Sequence, residues 1–176
     1  MSLPSTAFRD ALARFASGVV IVAAHTPTGP VGFTASAFTS VSLEPPLILV
    51  CVGKNASAYA GVVGATTFGV SILHERQRWI AEQFGRHGAA RFAGIALRSS
   101  VRVPLIEGAI AQLECGRHAL HDAGDHTILV GEVHEAFLRP ERPLVHYSRT
   151  FGGFTVEPSP PLHASDLPAA SNGGPR

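Results

Sequence analysis

A stretch of small hydroxyl-bearing residues is the part of this sequence best suited to binding chemistry. Between two apolar, β-prone ends it holds six Ser or Thr side chains, namely Thr34, Ser36, Thr39, Ser40, Ser42 and Ser57. The run is too polar for a plain core and too apolar for a plain surface. It suits a wall for a flat ligand with polar edges, because small side chains admit a ring while hydroxyl and N–H groups bond its carbonyls. An ordinary strand with hydroxyls on its solvent face remains the alternative.

The second candidate site is the turn after this run, Gly53-Lys54-Asn55-Ala56-Ser57. A strand ends here and a helix is predicted to begin, and free N–H groups at a helix start favour an anion. Lys54 adds positive charge and Ser57 a hydroxyl, so the turn could bind a phosphate. A plain strand-to-helix turn is the alternative. Cys51, just before the turn, fits a wall residue better than a nucleophile because no adjacent basic residue would activate it.

Three histidines, His118, His121 and His126, lie near a predicted hairpin turn. A metal triad is one interpretation, but the spacing crosses the hairpin and no carboxylate-rich second shell is apparent. A turn histidine bonded to Asp125 is another interpretation of His126. The sequence lacks G-x-G-x-x-G, G-x-x-x-x-G-K-[ST], H-E-x-x-H and G-x-S-x-G motifs, so any dinucleotide would bind without a Rossmann fingerprint.

The composition limits the number of domains, the kinds of binding partner and the location that can be expected. The 176 residues are 45% hydrophobic and 15% charged, with a net charge of +1. This indicates one well-buried domain with no electrostatic argument for nucleic acid or membrane binding, and some apolar surface that a second subunit could cover. Two cysteines outside any CxxC pair argue against structural zinc and a disulfide framework. No signal peptide or membrane helix is evident, so a cytoplasmic location is expected.

The predicted elements are mostly strands. A helix from Ser5 or Thr6 would turn Phe8, Leu12 and Phe15 inward, and a helix over 75–84 would turn Trp79, Ile80 and Phe84 inward. A short helix is predicted from Asn55 or Ser57 to Val63, and a loop with a short helix over 86–98. Apolar or β-branched runs predict strands at 19–24, 31–37, 47–52, 66–73, 109–120, 127–138 and 144–147, the third of them buried on both faces.

This order favours a mainly β fold, an antiparallel barrel closed at least in part with helices at its rim, over a doubly wound sheet. We predict one domain over residues 1–155. Residues 156–176 carry Pro, Ser, Ala and Gly with little to bury, which predicts a disordered tail.

The segment 31–57 resembles the signature of the short-chain NAD(P)H:flavin reductases, the flavin-reductase-like split-barrel family. That pattern is a Gly, then Thr-x-Ser/Ala-x-Phe-x-Ser-Val-Ser, a Pro-Pro pair, and an apolar strand ending near Cys. Two further segments are similar to the family: Gly124-Asp125-His126 with the strand that follows, and 143–153 with its Tyr-x-Arg-x-Phe-Gly order. Ala37 departs from the pattern, since many members carry a second Ser there. The similarity is closest to reductases of polyketide and aromatic-hydroxylase systems.

The resemblance implies a dimeric split barrel of the FMN-binding type, with the flavin near the subunit boundary. It implies two sets of site residues and no essential catalytic side chain, because the cofactors do the chemistry and the protein orients them. The nicotinamide side would comprise His126, which would position the nicotinamide, with Tyr147 and Arg149. The flavin side would comprise Thr34, Ala35, Ser36, Ala37, Ser40, Cys51, Val52, Lys54, Asn55, Ser57, Phe84 and Arg86.

The implied function is hydride transfer from NADH or NADPH to FMN or FAD, with reduced flavin passed to a partner flavin-dependent oxygenase. A homodimer is expected, without a metal, nucleic acid or membrane partner. A flavin-binding electron carrier or sensor on the same barrel is the alternative. An oxidase on the related pyridoxamine-phosphate-oxidase barrel would need more phosphate-binding Arg and Lys than the sequence offers.

Overall fold

The computed structural model describes residues 4–86, 90–99 and 101–156. Its helices are α1 (Ser5–Leu12), α2 (Tyr59–Gly64) and α3 (Arg78–Gly85), the last preceded by a 3₁₀ turn at Glu75–Gln77. Its strands are β1 (Ser17–Gly18), β2 (Val20–Thr26), β3 (Gly29–Ala35), β4 (Phe38–Ser42), β5 (Leu47–Gly53), β6 (Thr67–Ile72), β7 (Ala111–Ala123), β8 (His126–Leu138), β9 (Leu144–Tyr147) and β10 (Thr150–Gly153). No helix in the described ranges is long and apolar enough to cross a bilayer.

A seven-stranded sheet in the order β3-β2-β6-β7-β8-β5-β4 dominates the fold, and its neighbouring strands are antiparallel. A smaller sheet has the order β1-β9-β10. The long β7–β8 hairpin turns at Gly124 and Asp125, and the φ of +68° at Gly124 is one that glycine adopts without steric cost. This turn determines where His126 lies.

The large sheet must curve. Its two edge strands, β3 and β4, are consecutive in the chain and are joined by Ser36 and Ala37 alone. Two linking residues span only about 10 Å at most, so the two edges approach each other at this point. Cys51 N donates to Ala37 O at 3.0 Å, which ties the linker to β5. The mainly β prediction with peripheral helices is therefore confirmed.

The core has two parts. The larger lies inside the curved sheet and includes Val50, Phe68 and Leu129, which are fully buried. The smaller lies between β2 and α3, where Ile21 packs with Phe84. The site residues on β3 and β5 thus stand on strands whose other side chains are held by burial.

Several sequence predictions need correction. Trp79 was expected to face inward, but it is 51% exposed, because α3 turns Ile80, Ala81 and Phe84 toward the sheet. Strand β5 was expected to be buried on both faces, yet fully buried and half-buried residues alternate along it. One face of β5 therefore borders more open space.

The N-terminal helix differs from its prediction in the same way. Phe8, Leu12 and Phe15 are 51%, 57% and 76% exposed, so the expected inward face is open. Pro4 precedes the helix without a side-chain cap, where Ser5 or Thr6 was expected. Strands β4 and β10 were not predicted separately. The residues of the predicted tail beyond Val156 lie outside the described ranges.

Candidate functional site

Pairing between β5 and β8 brings the predicted anion-binding turn and the predicted nicotinamide histidine together. The ladder matches Cys51 with Ile128, Val52 with Thr127, and Gly53 with His126. A Cβ built on Gly53 would lie 3.5 Å from His126 Nε2. The sequence separates these two residues by more than seventy positions, and only the sheet makes them neighbours.

The His126 side chain is 46% exposed and is oriented by its neighbour. Its Nδ1 lies 2.7 Å from Asp125 Oδ1. This bond lowers the pKa of Asp125 below its ordinary value of 3.8. This geometry fits a turn histidine bonded to Asp125, because Nδ1 bonds the carboxylate. It also fits a histidine that positions the nicotinamide, because Nε2 lies near Gly53 and is not used in that bond.

Lys54, predicted to contact flavin, uses its ammonium within the protein. Its Nζ pairs with the Asp122 carboxylate and donates to Gly124 O at 2.6 Å. Its backbone N donates to Asp125 O at 3.0 Å. The hydrogen bond to Asp122 raises the pKa of Lys54, so the side chain stays charged. Three contacts therefore run from this one residue to the β7–β8 turn.

The turn between β5 and α2 is organised by backbone bonds. Ala56 N donates to Gly53 O at 3.0 Å and Tyr59 N to Ala56 O at 2.9 Å. Among the described residues, no hydrogen bond is donated by the N–H of Asn55 or Ser57. Helix α2 begins at Tyr59, later than the predicted start at Asn55 or Ser57. An anion bound at this turn would therefore accept hydrogen bonds from the amides of Asn55 and Ser57, and not from amides in the first turn of α2.

Strand β3 supplies one wall of the site. Thr34 Oγ1 donates to Ala81 O at 2.7 Å, which joins β3 to α3 and occupies the hydroxyl. Ala35 belongs to the core. Ser36, Ala37 and Ser40 are exposed where the sheet edges meet. The three exposed residues are thus free to contact a ligand, whereas Thr34 and Ala35 support the wall from behind.

Strand β5 and helix α3 contribute the other predicted flavin residues. The Cys51 side chain is half-buried, while Val52 and Phe84 are fully buried in the two parts of the core. Arg86 is exposed at the end of α3. The side chains of Val52 and Phe84 therefore shape the site from within the core.

A cavity of about 640 Å³ opens beside this wall. It is lined by β3, by the two residues before α2, and by the loop after α3, including Gly32, Ser57, Arg91 and Phe92. A Cβ on Gly32 would lie 2.8 Å from Val22 O and 3.1 Å from Phe84 Cε1. Only glycine leaves room for this close approach. The volume lies in the range of cofactor sites.

Arg91 and Phe92 line this cavity and are candidate site residues that the sequence reasoning missed. Arg91 Nη1 donates to Gly32 O at 2.8 Å and Nη2 to Arg86 O at 3.1 Å. Within residues 4–86, 90–99 and 101–156, no carboxylate pairs with it. Phe92 packs edge-on against Phe84, with ring centroids 4.9 Å apart. The adjacent basic and aromatic residues at 91 and 92 were the sequence signal that could have identified them.

Tyr147 and Arg149 lie apart from the other candidates. They flank the β9–β10 turn, where Ser148 and Arg149 have φ values of 49° and 63°. The Arg149 guanidinium pairs with Asp10 of α1, and Ser148 N donates to Ala13 O at 2.8 Å. In the described part of the chain no hydrogen bond joins either residue to the His126 strand. The structure therefore attaches Arg149 to the N-terminal helix.

The described residues contain no group of three or more His, Cys, Asp or Glu side chains placed to hold a metal ion. His118 Nδ1 lies 3.9 Å from Glu132 Oε2, and His126 bonds Asp125. Burial raises the pKa of the Cys115 thiol to about 12. Among the described residues, His118, His121 and His126 thus form no such group.

Comparisons with known proteins identify the family of this chain. The family model described as "Flavin reductase like domain" matches residues 12–155. The chain is 43% identical over 152 residues to "FMN reductase (NADH) SmoA" of Agrobacterium fabrum, covering 86% of this chain and 87% of that one. It is 34% identical over 163 residues to the flavin-dependent monooxygenase reductase subunit HsaB of Mycobacterium tuberculosis, covering 90% and 87%.

Solved structures show the same relationship. The NADH:FAD oxidoreductase SgcE6 of Streptomyces globisporus, in complex with NAD and FAD fragments, superposes with a TM-score of 0.80 at 36% identity. The match covers 88% of this chain and 98% of that one. The resemblance drawn from the sequence is confirmed, and the chain belongs to the flavin reductase family of oxidoreductases.

Proposed function

We propose that this chain is an NAD(P)H-dependent flavin reductase that transfers hydride from the nicotinamide to FMN or FAD and supplies reduced flavin to a separate monooxygenase. The observation that carries the proposal is the pairing of Gly53 with His126, at the strand end whose following turn supplies Ser57 to the cavity. The named activities of SmoA and HsaB, an NADH-dependent FMN reductase and a monooxygenase reductase subunit, support it.

The residues present fit a flavin. When bound, flavin and nicotinamide together supply the hydride chemistry. The Arg91 guanidinium, the Ser57 hydroxyl and the amides of Asn55 and Ser57 are suited to a phosphate, since each presents a donor or a positive charge. Ser36, Ala37 and Ser40 offer small, exposed surface for the ring system.

On the nicotinamide side the protein orients and does not transfer protons. His126 is suited to a carboxamide because its ring is exposed on one side and held by Asp125 on the other. Tyr147 and Arg149 stay proposed nicotinamide contacts. To contact the nicotinamide, the Arg149 guanidinium would have to break its ion pair with Asp10 or bind the nicotinamide and Asp10 at the same time.

The decisive experiment mixes purified protein with NADH or NADPH and with FMN or FAD under anaerobic conditions, and follows nicotinamide absorbance. Saturable loss that depends on added flavin supports the reductase and identifies the preferred flavin and nicotinamide. Flavin binding without any nicotinamide oxidation would instead favour the electron carrier or sensor. Adding a flavin-dependent monooxygenase with its substrate then tests whether reduced flavin is passed on.

We also propose a dimeric split barrel. Strands β3 and β4 meet at Ser36 and Ala37, as the edges of a nearly closed barrel would. Phe8, Leu12 and Phe15 form an exposed apolar face that a second copy of the chain could cover. Light scattering on a size-exclusion column should give twice the monomer mass, and Phe15→Asp should reduce it. A cytoplasmic location stays a prediction, to be tested by cell fractionation.

A further inference from the structure

Lys54 connects the two halves of the site. Its backbone N bonds Asp125 O, and its ammonium contacts both the Asp122 carboxylate and Gly124 O. These three acceptors lie at the end of β7 and in the turn that follows it, and the next residue along the chain is His126. The side chain thus reaches across the turn and fastens it to the end of β5.

A second bond joins the same two segments. Tyr59, on the far side of the predicted phosphate turn, has its hydroxyl 2.8 Å from Thr127 Oγ1. Thr127 is buried and directly follows His126. The backbone around His126 is therefore held on one side by Lys54 and on the other by Tyr59, and both residues belong to the segment that carries Asn55 and Ser57.

We propose that Lys54 is a positioning residue that sets His126 relative to the bound flavin by fastening the β7–β8 turn, and that its ammonium is not a phosphate ligand. The proposal rests on the proposed reductase function, which it deepens. It predicts that loss of Lys54 weakens productive nicotinamide binding while flavin binding is retained.

The alternative role makes an opposite prediction. A lysine that held the flavin phosphate would discriminate FMN from riboflavin, which has the same ring but no phosphate. It would also bind FMN more tightly once Asp122 was removed, because the ammonium would be released from its carboxylate partner. The positioning role predicts that Lys54 and Asp122 act together and that neither changes the preference for FMN over riboflavin.

The test compares Lys54→Met, Asp122→Ala and the double variant by steady-state kinetics with NADH and by equilibrium binding of FMN and riboflavin. Lys54→Met should raise the NADH KM about three- to tenfold, with kcat changed less, because small misplacement of a positioning group is costly. Asp122→Ala should act in the same direction. The double variant should be little worse than Lys54→Met alone, because the two side chains form one interaction. Lys54→Arg, which keeps the positive charge, should raise the NADH KM much less than Lys54→Met does.

Arg139→Met is the matched control. Arg139 and Glu107 form an exposed ion pair, 3.3 Å apart, near the other end of the same hairpin. Its loss should leave the NADH KM unchanged. A weaker affinity of Lys54→Met for FMN but not for riboflavin, or an unchanged NADH KM, would overturn the positioning role.

Hydrogen exchange tests the proposed role of Lys54 independently of the reductase function. Amides of residues 124–127 should exchange faster in Lys54→Met and in Asp122→Ala than in the wild type. If the wild type oxidises neither NADH nor NADPH with any flavin, the proposed function fails whatever the exchange shows. If the wild type is active and exchange at 124–127 is unchanged in both variants, the reductase function stands and the proposed role of Lys54 fails.

Discussion

The two sides of the proposed site are built by different forces. On the flavin side, Phe84 is 1% and Ala35 is 7% exposed, and β3, α3 and the cavity wall rest on the core. On the nicotinamide side, His126 is 46% and Tyr147 is 45% exposed. The groups there are held by short polar contacts at the surface, such as those of Asp125 and Asp10.

This difference has a functional consequence. Burial stabilises a surface by excluding water from many atoms at once, whereas exposed ion pairs contribute little to stability and are screened by salt. The flavin side should therefore be rigid and essential to folding. The nicotinamide side should tolerate substitution without unfolding, so that changes there appear in kinetics. Four predictions test this contrast.

The largest effect is expected on the flavin side. Phe84→Ala removes a buried ring that packs against Phe92 and beneath Gly32. It should lower the free energy of unfolding by about 3–5 kcal/mol, measured by denaturant titration. Leu43→Ala, at an 89% exposed side chain, is the control and should change it by less than about 0.5 kcal/mol. If both variants lost the same free energy of unfolding, the proposed difference in burial between the two sides would be contradicted.

The next effect is expected on the nicotinamide side. His126→Ala should raise the NADH KM by roughly tenfold, a loss of about 1.4 kcal/mol of binding, with flavin affinity and the unfolding midpoint little changed. Steady-state kinetics, flavin titration and denaturant titration measure the three quantities in turn. Lost flavin affinity with unchanged NADH kinetics would place His126 on the other side of the site.

A smaller effect is expected for the hydroxyl that joins β3 to α3. Thr34→Val removes the 2.7 Å hydrogen bond to Ala81 O at a half-buried position and should cost about 1 kcal/mol of stability. Thr39→Val is matched in chemistry, but its exposed hydroxyl bonds only the adjacent Ser40 O. Thermal unfolding should separate the two variants.

The smallest effect concerns pH. The pKa of Asp125 is lowered by its bond to His126, so this bond favours the folded state above the ordinary carboxyl value of 3.8. Its contribution is lost as the pH falls through the lowered value. NMR titration of the Asp125 carboxyl should give a pKa below 3.8, and His126→Ala should return it toward that value. A pKa at or above 3.8 in the wild type would contradict the bond.

Much of this molecule could be predicted from local sequence alone. The β-branched run of β2, the apolar run near the start of β8 and the glycine at the hairpin turn each determine their own structure, because side-chain type and backbone sterics act over a few residues. The same local segments carried the family resemblance. The hydroxyl run, Gly124–His126 and the Gly53–Ser57 turn were therefore recognisable as candidate site residues without any knowledge of the fold.

The tertiary structure decided what those residues face. Trp79 and Phe84 both looked suited to burial, but only the docking of α3 on β3 buries Phe84 and leaves Trp79 exposed. Helical spacing likewise predicted a buried face on α1 that no described part of this chain covers. Local pattern shows that a face is apolar, and packing partners distant in sequence determine whether it is covered.

The role of Lys54 shows the same limit at the site. Its position after a strand end and before Asn55 and Ser57 indicated a phosphate ligand, because a lysine there could reach an anion. Asp122 and Gly124, nearly seventy residues away, compete for the same ammonium once β5 pairs with β8. The sequence by itself determined which residues could do chemistry. The register of two antiparallel strands decided which of them meet, because a charged side chain binds the partner that the fold places nearest.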